Sequence, residues 1–440
     1  MQPARALYTL LGSAALLWLP IRLWWRGRRE PGYRQHIGER FGRYAQRADP
    51  SRRNGPLFWL HAVSVGETRA AAPLVERLRR TYPGATILMT HMTATGRETG
   101  RTLFGDQIIQ AWLPYDMPFA VRSFYAHFRP SAGFLLETEL WPNLIAEARS
   151  ADIPLFLVNA RLSERSARSY GRFSAITRSM LGALAGVAAQ SEADAARLSL
   201  LGASTPVVTG NLKFDVSVPR EALELAAGLR LRFGPTRRVW VAGSTRDGEE
   251  ALILDALARR SLPKDALTVV VPRHPQRFAA VAELLRARAI PFVCRSDPRG
   301  TPVTADTSVV LGDSMGEMLA YYAAADLAFV GGSLLPLGGQ NLIEPLAVGT
   351  PVLVGPHTFN FSEASSGAIA AQAAQRVDDA DALVDAVAAL LVDGDRRAAM
   401  SRAARDFHAL HAGAADRLWA WIAPRLPPSA VLNVNPSGRD

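Results

Sequence analysis

The chain has 440 residues, of which 48% are hydrophobic and 20% charged, with 34 glycines and 29 prolines. This composition excludes a disordered chain, a collagen-like fibre and a coiled coil, and the length predicts two domains of ordinary size. The single cysteine, Cys294, excludes a disulfide scaffold, a cysteine-ligated zinc site and a C-x-x-C redox motif.

The net charge of +10 is concentrated near the N-terminus. Residues 1–53 contain eleven arginines and three acidic residues, which give this segment a net charge of +8. A protein that reads nucleic acid more often spreads its basic residues over a folded domain. The pattern therefore indicates a membrane surface and no nucleic-acid partner.

An uncharged segment of sixteen residues, 6–21, lies between Arg5 and a basic flank, with tryptophans at its far end. This length is borderline for a bilayer span, so spanning the membrane and lying in its interface both stay open. A cleaved signal peptide fits less well, because the charge is heavier after the apolar run and no A-x-A-like site follows. We expect an uncleaved anchor that binds anionic phospholipids and leaves the rest of the chain on the cytoplasmic face of the inner membrane.

Short β-branched or apolar runs alternate with amphipathic stretches from Leu57 onward. This alternation is typical of parallel sheets with helices on both faces, so the sequence predicts a doubly wound α/β fold. The pattern breaks between residues 215 and 238 and then restarts. The predicted strands are Leu57–Val65, Thr86–Thr90, Gly133–Leu136, Pro154–Asn159, Gly186–Gln190, Pro206–Thr209, Val239–Ala242, Leu267–Val271, Ile290–Val293, Ser308–Leu311, Leu327–Val330 and Pro351–Val354.

We therefore predict two Rossmann-like domains around a central cleft, preceded by the membrane-anchor helix. The last part of the second domain is rich in Ala and Leu and is predicted to be helical. The predicted boundaries are 1–30 for the anchor and its basic flank, 31–214 for the N-terminal domain, 215–238 for the linker, 239–426 for the C-terminal domain with its helical tail, and 427–440 for a flexible tail.

Two glycine pairs bracket a loop in the second domain. Gly331-Gly332-Ser333 ends a predicted strand, and Gly338-Gly339 precedes Asn341 and Glu344, which share one side of an expected helix start. Glycines let backbone amides approach a ligand, and a helix N-terminus favours an anion. A carboxylate at this place can accept hydrogen bonds from both hydroxyl groups of a ribose. The alternative is a tight turn in which Glu344 completes a capping arrangement. We favour a nucleotide site, although no complete G-x-G-x-x-G follows a strand.

Two further strand ends in this domain carry polar residues. Ser244 follows one strand, and Arg273 and His274 follow the next. Ligands of doubly wound sheets bind at the carboxyl ends of strands, so Arg273 is placed to meet a phosphate. His274 is ambiguous, because a histidine near a strand end is often structural.

Acidic residues follow two strands of the first domain. Glu67 comes just after a strand at a helix start, where it suits either the helix dipole or the role of a general base. Glu137 and Glu139 follow another strand, and a spacing of two would place both on one face toward the cleft. A solvated turn with two unrelated acids is an equal alternative for this pair.

Metal ligation is weakly supported. The histidines are scattered, and the D-x-D pairs at Asp379/Asp381 and Asp393/Asp395 lie in the helical tail, where they are typical of caps and turns. A basic stretch that begins at Arg161 suits either a solvated helix face or an anionic lipid head group.

The motifs together resemble the 3-deoxy-D-manno-octulosonate (Kdo) transferases of lipopolysaccharide assembly, over nearly the whole chain. The matching runs are His61-Ala-Val-Ser-Val-Gly-Glu67-Thr68, Glu137-Thr-Glu139-Leu-Trp-Pro-Asn143, Asn159-Ala-Arg161-Leu-Ser163, Gly210-Asn-Leu-Lys213-Phe214, Val271-Pro-Arg273-His274-Pro, Gly312-Asp-Ser-Met315-Gly-Glu317, and Gly331-Gly-Ser333 through Gly355-Pro-His-Thr-Phe-Asn-Phe361.

The resemblance implies an inverting glycosyltransferase of the GT-B type that transfers Kdo from CMP-Kdo to the tetra-acylated disaccharide precursor of lipid A (lipid IVA). It implies no metal or other cofactor, and it matches Glu67 with the catalytic base. The implied acceptor-binding residues are Ser64, Gly66, Glu137, Glu139 and Arg161. The implied donor-binding residues are Ser244, Arg273, His274, Met315, Gly331, Gly332, Ser333, Asn341 and Glu344. Gln340 departs from the family, because many relatives have a histidine at this place.

Other functions stay open at this stage. One alternative is a membrane-associated glycosyltransferase of the same architecture that uses a UDP- or GDP-sugar on a lipid acceptor. Another is a membrane-tethered binding protein without catalytic activity. A nicotinamide-dependent oxidoreductase is disfavoured by the missing dinucleotide fingerprint.

Overall fold

The computed structural model describes residues 3–16, 18–45 and 55–428. The chain divides into two compact units, of which unit 1 contains Met1–Asp215 and Ala412–Asp440 and unit 2 contains Val216–His411. Each unit is built on one parallel sheet of seven strands with helices in the connections. The predicted α/β class is therefore confirmed, and the central cleft stays a prediction.

The sheet of unit 1 has the strand order β3-β2-β1-β4-β5-β6-β7. All neighbouring strands are parallel, with Leu60 of β1 paired with Met89 on one side and Phe134 on the other. The strands are β1 Leu57–His61, β2 Thr86–His91, β3 Ile109–Trp112, β4 Ala132–Leu136, β5 Leu155–Ala160, β6 Gly186–Ala189 and β7 Val207–Val208.

The sheet of unit 2 has the order β10-β11-β9-β8-β12-β13-β14, again with parallel neighbours. Its strands are β8 Arg238–Thr245, β9 Ala266–Pro272, β10 Phe292–Cys294, β11 Val309–Leu311, β12 Leu327–Val330, β13 Val352–Val354 and β14 Ala374–Arg376.

Helices cover both faces of each sheet. In chain order they are α1 Pro3–Ala15, α2 Leu19–Arg29, α3 Val65–Ala70, α4 Ala72–Thr81, α5 Ala94–Phe104, α6 Pro118–Phe128, α7 Pro142–Ser150, α8 Glu164–Arg172, α9 Ser174–Leu181, α10 Glu192–Leu200, α11 Arg220–Phe233, α12 Glu249–Arg259, α13 Phe278–Ala287, α14 Met318–Ala324, α15 Ile343–Ala347, α16 Ser362–Ala370, α17 Ala380–Val392, α18 Gly394–His411 and α19 Ala414–Ile422. Strand β1 shows why the core has two layers, since Trp59 belongs to one apolar cluster while Phe58 and Leu60 belong to the other.

The central strands were all predicted, and two edge strands were missed. Strands β3 and β14 contain Gln110, Gln375 and Arg376, which interrupt the apolar run that marks a buried strand. An edge strand has a neighbour on one side only and tolerates such residues. Both D-x-D pairs behave as predicted, because Asp379 accepts a hydrogen bond from the N–H of Ala382 and Asp393 from that of Arg396.

The unit boundaries differ from the predicted domains in two places. The helix of the predicted linker, α11, belongs to unit 2, because Leu229 and Phe233 pack in the core around β8 and β9. The last helix, α19, belongs to unit 1 rather than to the second domain, because Leu418 and Ile422 pack beside β1 and β4. The predicted flexible tail lies outside the described residues except for Pro427 and Pro428.

The predicted N-terminal anchor helix is two short helices in the structure. Helix α1 ends at Ala15 and α2 begins at Leu19, and Thr9 of α1 hydrogen bonds Asn143 of α7 at 3.1 Å. Within the described ranges, no helix has both the length and the apolar character that a bilayer crossing requires.

We predict that Asp215 fastens helix α19 to unit 1. Its carboxylate accepts hydrogen bonds from the N–H groups of Gly413, Ala414 and Ala415, at 2.6, 3.2 and 2.5 Å. Asp215→Ala should lower the free energy of unfolding by about 1–3 kcal/mol, because it leaves helix N-terminal donors without an acceptor. Urea unfolding followed by circular dichroism measures the change.

The matched control is Asp416→Ala on the same helix. Asp416 forms an exposed ion pair with Arg77, which is worth about 0–1 kcal/mol. Equal losses of stability in the two variants would contradict the assignment of the fastening role to Asp215.

Candidate functional site

The strand order of unit 1 reverses between β1 and β4, and both candidate acids follow these two strands. The connection from β1 leads to one side of the sheet through β2, and β4 continues on the other side. In doubly wound sheets this reversal opens a crevice at the carboxyl ends of the strands. Glu67 lies on α3 after β1, and Glu137 follows directly after β4. The prediction that these acids lie at one sheet edge is consistent with this topology.

Glu67 is held by a reciprocal capping arrangement at the start of α3. Ser64 is the N-cap residue, and its hydroxyl donates to Glu67 Oε1 at 2.7 Å and accepts from the Glu67 N–H at 3.4 Å. The N–H of Val63 donates to Oε2 at 2.8 Å. The dipole interpretation and the base interpretation are therefore compatible, since the same carboxylate caps the helix and lies at the sheet edge.

Burial raises the pKa of Glu67 above its usual range, and the negative charge of Glu137 raises it further. The hydrogen bonds from Ser64 and Val63 act in the opposite direction without cancelling the effect. A carboxylate offers about four lone-pair sites, and these two bonds occupy one on each oxygen. The side chain therefore keeps acceptor capacity on both oxygens and has a pKa shifted toward that of an effective general base.

Glu137 and Lys213 form an ion pair beside the start of α3. The Lys213 Nζ atom lies 2.8 Å from Glu137 Oε1, and both side chains are about four-fifths buried. The lysine stem passes close to Gly66, where an added Cβ would lie 3.8 Å from Lys213 Cε. Glu137 itself has a φ of +58°, which places it in the left-handed region. Lys213 was not predicted as a site residue, although it lies in the family motif Gly210-Asn-Leu-Lys213-Phe214.

Glu139 faces a different partner from Glu137. Its carboxylate accepts a hydrogen bond from Trp141 Nε1 at 2.9 Å and lies 3.8 Å from Nε2 of the buried His61. Burial alone would raise the pKa of Glu139, but His61 and Trp141 outweigh it and lower the pKa. The backbone oxygen of Arg161 accepts from the Thr138 hydroxyl, which brings the β5 end to the same loop. The two acids therefore have separate environments.

The loop before Glu67 is fixed from the neighbouring strand. His91, at the end of β2, is buried with Nδ1 2.9 Å from the Ala62 oxygen. The Thr93 hydroxyl donates to the Val63 oxygen at 2.7 Å. Gly96 is required here, because an added Cβ would lie 2.8 Å from that oxygen. The backbone that positions Glu67 is therefore supported by β2 and the start of α5.

In unit 2 the strand order reverses between β8 and β12, and the first glycine pair lies there. Gly331 allows the two strand ends to approach, since an added Cβ would lie 2.6 Å from the Ser244 oxygen. The N–H of Gly331 bonds the Gly243 oxygen, and that of Gly332 bonds Glu249 Oε2 at 2.5 Å. Both amides are therefore bonded within the unit, and the predicted contact of this glycine pair with the donor stays a prediction.

Glu249 is the residue that organises this loop. It is fully buried in the first turn of α12, and it accepts from the N–H groups of Arg246, Gly332 and Leu334. Ser333 is also internal, because its hydroxyl donates to the Val330 oxygen and accepts from the Gly355 N–H. Sequence reasoning missed Glu249, although its place after β8 matches that of Glu67 after β1.

Positive charge collects at the ends of β8 and β9. Burial and the nearby cations Arg246 and Arg273 lower the pKa of His274. The Arg246 stem lies against the glycine pair, 3.5 Å from the position of a Cβ on Gly332. Arg246 was missed as a site residue because the short loop 246–248 carries no recognised phosphate-binding motif. Arg246 and Arg273 therefore bring positive charge to this sheet edge, while His274 is shifted toward its neutral form.

The remaining residues predicted to bind the sugar donor lie in two places. Asn341 Nδ2 donates to Glu344 Oε1 at 3.1 Å, and Asn341 Oδ1 accepts from the Ile343 N–H at the start of α15. Both the predicted nucleotide role and the capping alternative fit this pair. Met315 is 55% exposed in the loop after β11. Among the described residues, no group of three or more His, Cys, Asp or Glu side chains is placed to hold a metal ion.

Two solved structures share this fold. A glycosyltransferase from Rickettsia africae is 14% identical and has a TM-score of 0.53, covering 84% of this chain and 98% of its own. UDP-GlcNAc 2-epimerase from Neisseria meningitidis is 15% identical with a TM-score of 0.55, covering 84% of this chain and 100% of its own. At these identities the likeness defines the class of fold, a two-unit α/β protein of the GT-B type.

Sequence comparison identifies the family. Residues 35–216 match the family model described as 3-deoxy-D-manno-octulosonic-acid transferase (kdotransferase). The 3-deoxy-D-manno-octulosonic acid transferase of Bordetella pertussis is 47% identical over 94% of this chain and 97% of its own. That of Haemophilus influenzae is 39% identical over 90% and 93%. The chain belongs to the Kdo transferase family and is a glycosyltransferase, which confirms the resemblance seen in its motifs.

We predict that His91 makes the stability of unit 1 dependent on pH. Burial lowers its pKa from 6.5 to about 4, so protonation is favoured in the unfolded chain. The stabilisation is complete above pH 6.5 and is lost as the pH falls toward 4. From about pH 7.5 to about pH 5 the loss should be about 2 kcal/mol.

Urea unfolding of the wild type and of His91→Gln at these two pH values tests this prediction. Glutamine keeps a donor for the Ala62 oxygen and removes the titration, so the variant should lose less stability on acidification. His36→Gln, at an exposed histidine, is the control. An equal acid sensitivity of wild type and His91→Gln would refute the assignment.

Proposed function

We propose that this enzyme transfers Kdo from CMP-Kdo to lipid IVA, releasing CMP and inverting the anomeric centre, in lipopolysaccharide biosynthesis. Kdo transfer follows from the family, and the identities of donor and acceptor are the proposed part. The observation that carries the mechanism is the buried carboxylate of Glu67, held at the switch point of unit 1 with an elevated pKa.

In the proposed reaction an acceptor hydroxyl hydrogen bonds to Glu67 and attacks the anomeric carbon of Kdo. The new C–O bond forms as the bond from that carbon to the CMP phosphate oxygen breaks on the opposite face, which inverts the centre. The hydroxyl proton passes to Glu67, and the electron pair of the broken bond leaves with CMP. The remaining lone pair on either oxygen of Glu67 can accept this proton.

We place the donor at the carboxyl edge of the unit 2 sheet. Arg246 and Arg273 would meet the CMP phosphate and stabilise the charge that develops on the leaving group. Asn341 and Glu344 would accept hydrogen bonds from the ribose hydroxyl groups. This assignment is supported by the proximity of both arginines to His274, whose pKa is lowered first by burial and then by the charges of Arg246 and Arg273.

We place the acceptor at the unit 1 edge, near Ser64, Gly66, Glu137 and Arg161. Lys213 joins this set, because its ion pair with Glu137 lies beside Gly66. A cation that compensates Glu137 limits the repulsion that an additional buried carboxylate would exert on Glu67. Metal independence is part of the proposal, because arginine side chains can supply the charge stabilisation at the phosphate.

We further propose that α1 and α2 attach the enzyme to the cytoplasmic face of the inner membrane by lying in the interface. Leu7, Leu10 and Leu11 of α1 are all more than half exposed, as are Trp24 and Trp25 of α2. Exposed apolar and aromatic side chains on short helices with arginines are typical of interfacial anchors. Anionic phospholipids are the proposed partners of this surface.

The proposed reaction is tested in detergent with CMP-Kdo and lipid IVA, with product mass as the measurement. Glu67→Gln should lower kcat by about 10²- to 10⁴-fold, because the general base is lost, while CMP binding is retained. Glu76→Gln on the exposed face of α4 is the control and should leave the rate unchanged. Wild-type turnover by Glu67→Gln would refute the role of Glu67.

The same assay separates the competing donors and the metal requirement. CMP should inhibit and UDP should not, and activity should survive EDTA. Inhibition by UDP instead of CMP would favour the UDP-sugar alternative, and complete loss of activity on chelation would refute metal independence.

The proposed base also predicts a change in pH dependence. Activity should fall as the pH drops through the pKa of Glu67, which burial and Glu137 raise. Glu137→Gln removes one of these causes, so the acidic limb of log kcat/KM against pH should move to lower pH. Glu139→Gln, whose charge does not contribute to the raised pKa of Glu67, is the control. An acidic limb that stays in place or moves upward in Glu137→Gln would contradict the proposal.

A further inference from the structure

A groove on the surface of unit 1 lies among helices α1, α7 and α9, apart from the sheet edge that carries Glu67. Its volume is about 180 Å³, and nine residues line it. The floor is apolar, since Ile145 and Met180 are buried and Ile176 is half-buried. Such a floor suits a hydrocarbon chain and not a sugar.

The charge of this groove has one sign. Arg5 of α1 and Arg149 of α7 are the ionisable side chains among the nine lining residues, and no carboxylate is included. Two guanidinium groups at the edge of an apolar floor are complementary to a phosphate joined to an acyl chain.

A second groove on the same unit serves as a comparison. It is larger, at about 620 Å³, but Arg122 and Arg129 share it with Glu147 and Asp152. Arg122 Nε lies 3.9 Å from Glu147 Oε2, so the charge there is balanced. Volume alone therefore does not mark the first groove. What marks it is that both ionisable side chains in its lining are cationic, although Arg5 also interacts electrostatically with the buried Asp116 outside that lining.

The first groove adjoins the surface proposed to face the membrane. Helix α1 contributes Arg5 to the groove and the exposed Leu7, Leu10 and Leu11 to the surface. The helix is tied to the unit by the Thr9–Asn143 hydrogen bond. It also approaches Met117 closely, because a Cβ on Gly12 would lie 2.5 Å from Met117 Cε. A fixed helix can therefore hold a defined site at the level of the lipid head groups.

We propose that this groove binds one anionic phospholipid, with the phosphate between Arg5 and Arg149 and the start of one acyl chain along Ile145, Ile176 and Met180. The inference rests on the proposed membrane attachment and is independent of the identity of the donor. The bound lipid would fix the orientation of unit 1 at the membrane, beyond the non-specific attraction of the N-terminal arginines.

The test is lipid retention by the full chain, purified in detergent and exchanged with phosphatidylglycerol or phosphatidylcholine. Native mass spectrometry counts the lipids that each chain retains. The wild type should retain one phosphatidylglycerol and no phosphatidylcholine. Arg5→Gln/Arg149→Gln should weaken retention roughly thirtyfold, from the loss of two contacts near the lipid phosphate. Arg122→Gln/Arg129→Gln, in the comparison groove, should retain lipid like the wild type.

Each further outcome decides the proposal. Equal retention of phosphatidylcholine, or unchanged retention by the Arg5/Arg149 variant, would overturn it. Displacement of the lipid by inorganic phosphate alone would identify a free-phosphate site and would also overturn it. If the double variant fails to fold, Arg149→Gln at an exposed position replaces it. Retention is measured without donor or acceptor, so a failure of the proposed Kdo transfer would leave this result readable.

Discussion

The reciprocal hydrogen bonds between Ser64 and Glu67 are the interaction on which the proposed chemistry of unit 1 depends. Together with the Val63 N–H bond they fix the carboxylate of a residue that is only 7% exposed. Ser64 satisfies one lone pair on Oε1, and Val63 satisfies one on Oε2. Without these bonds, burial at the sheet edge would favour the neutral acid too strongly for a base. With them, the carboxylate can ionise while burial and Glu137 keep its pKa elevated. Capping and the proposed catalysis would therefore use the same geometry.

Unit 2 contains the same local design with a different result. Glu249 also lies in the first turn of the helix after the first strand of its sheet, but it accepts three backbone N–H bonds. These bonds join the β8 end to the glycine loop after β12 and leave the carboxylate committed to structure. The Glu67 carboxylate accepts one hydrogen bond from a backbone N–H, that of Val63, and one from the Ser64 hydroxyl. The number of fixed donors thus separates a structural acid from one that can exchange a proton.

The sequence predicted the central strands because they are apolar on both faces, and it predicted the acids and cations that follow them because strand ends are where ligands bind. It could not predict which amides are free. The N–H of Gly331 is bonded to the Gly243 oxygen and that of Gly332 to Glu249, and each partner lies more than eighty residues away in the chain. Lys213 and Arg246 were missed for a related reason, since their relevance comes from contacts with Glu137 and with the glycine loop.

The unit boundaries show the same limit in the packing of helices. Helix α19 follows unit 2 directly in the chain and, like α17 and α18, is rich in alanine, so its sequence does not indicate which unit it packs against. The decisive features are distant: the core beside β1 and β4 and the acceptor supplied by Asp215. The chain therefore returns to unit 1 after completing unit 2, and it passes between the units at 215–216 and at 411–412. Because Asp215 bonds the start of α19, a single carboxylate joins the chain segments on the unit 1 side of both crossings.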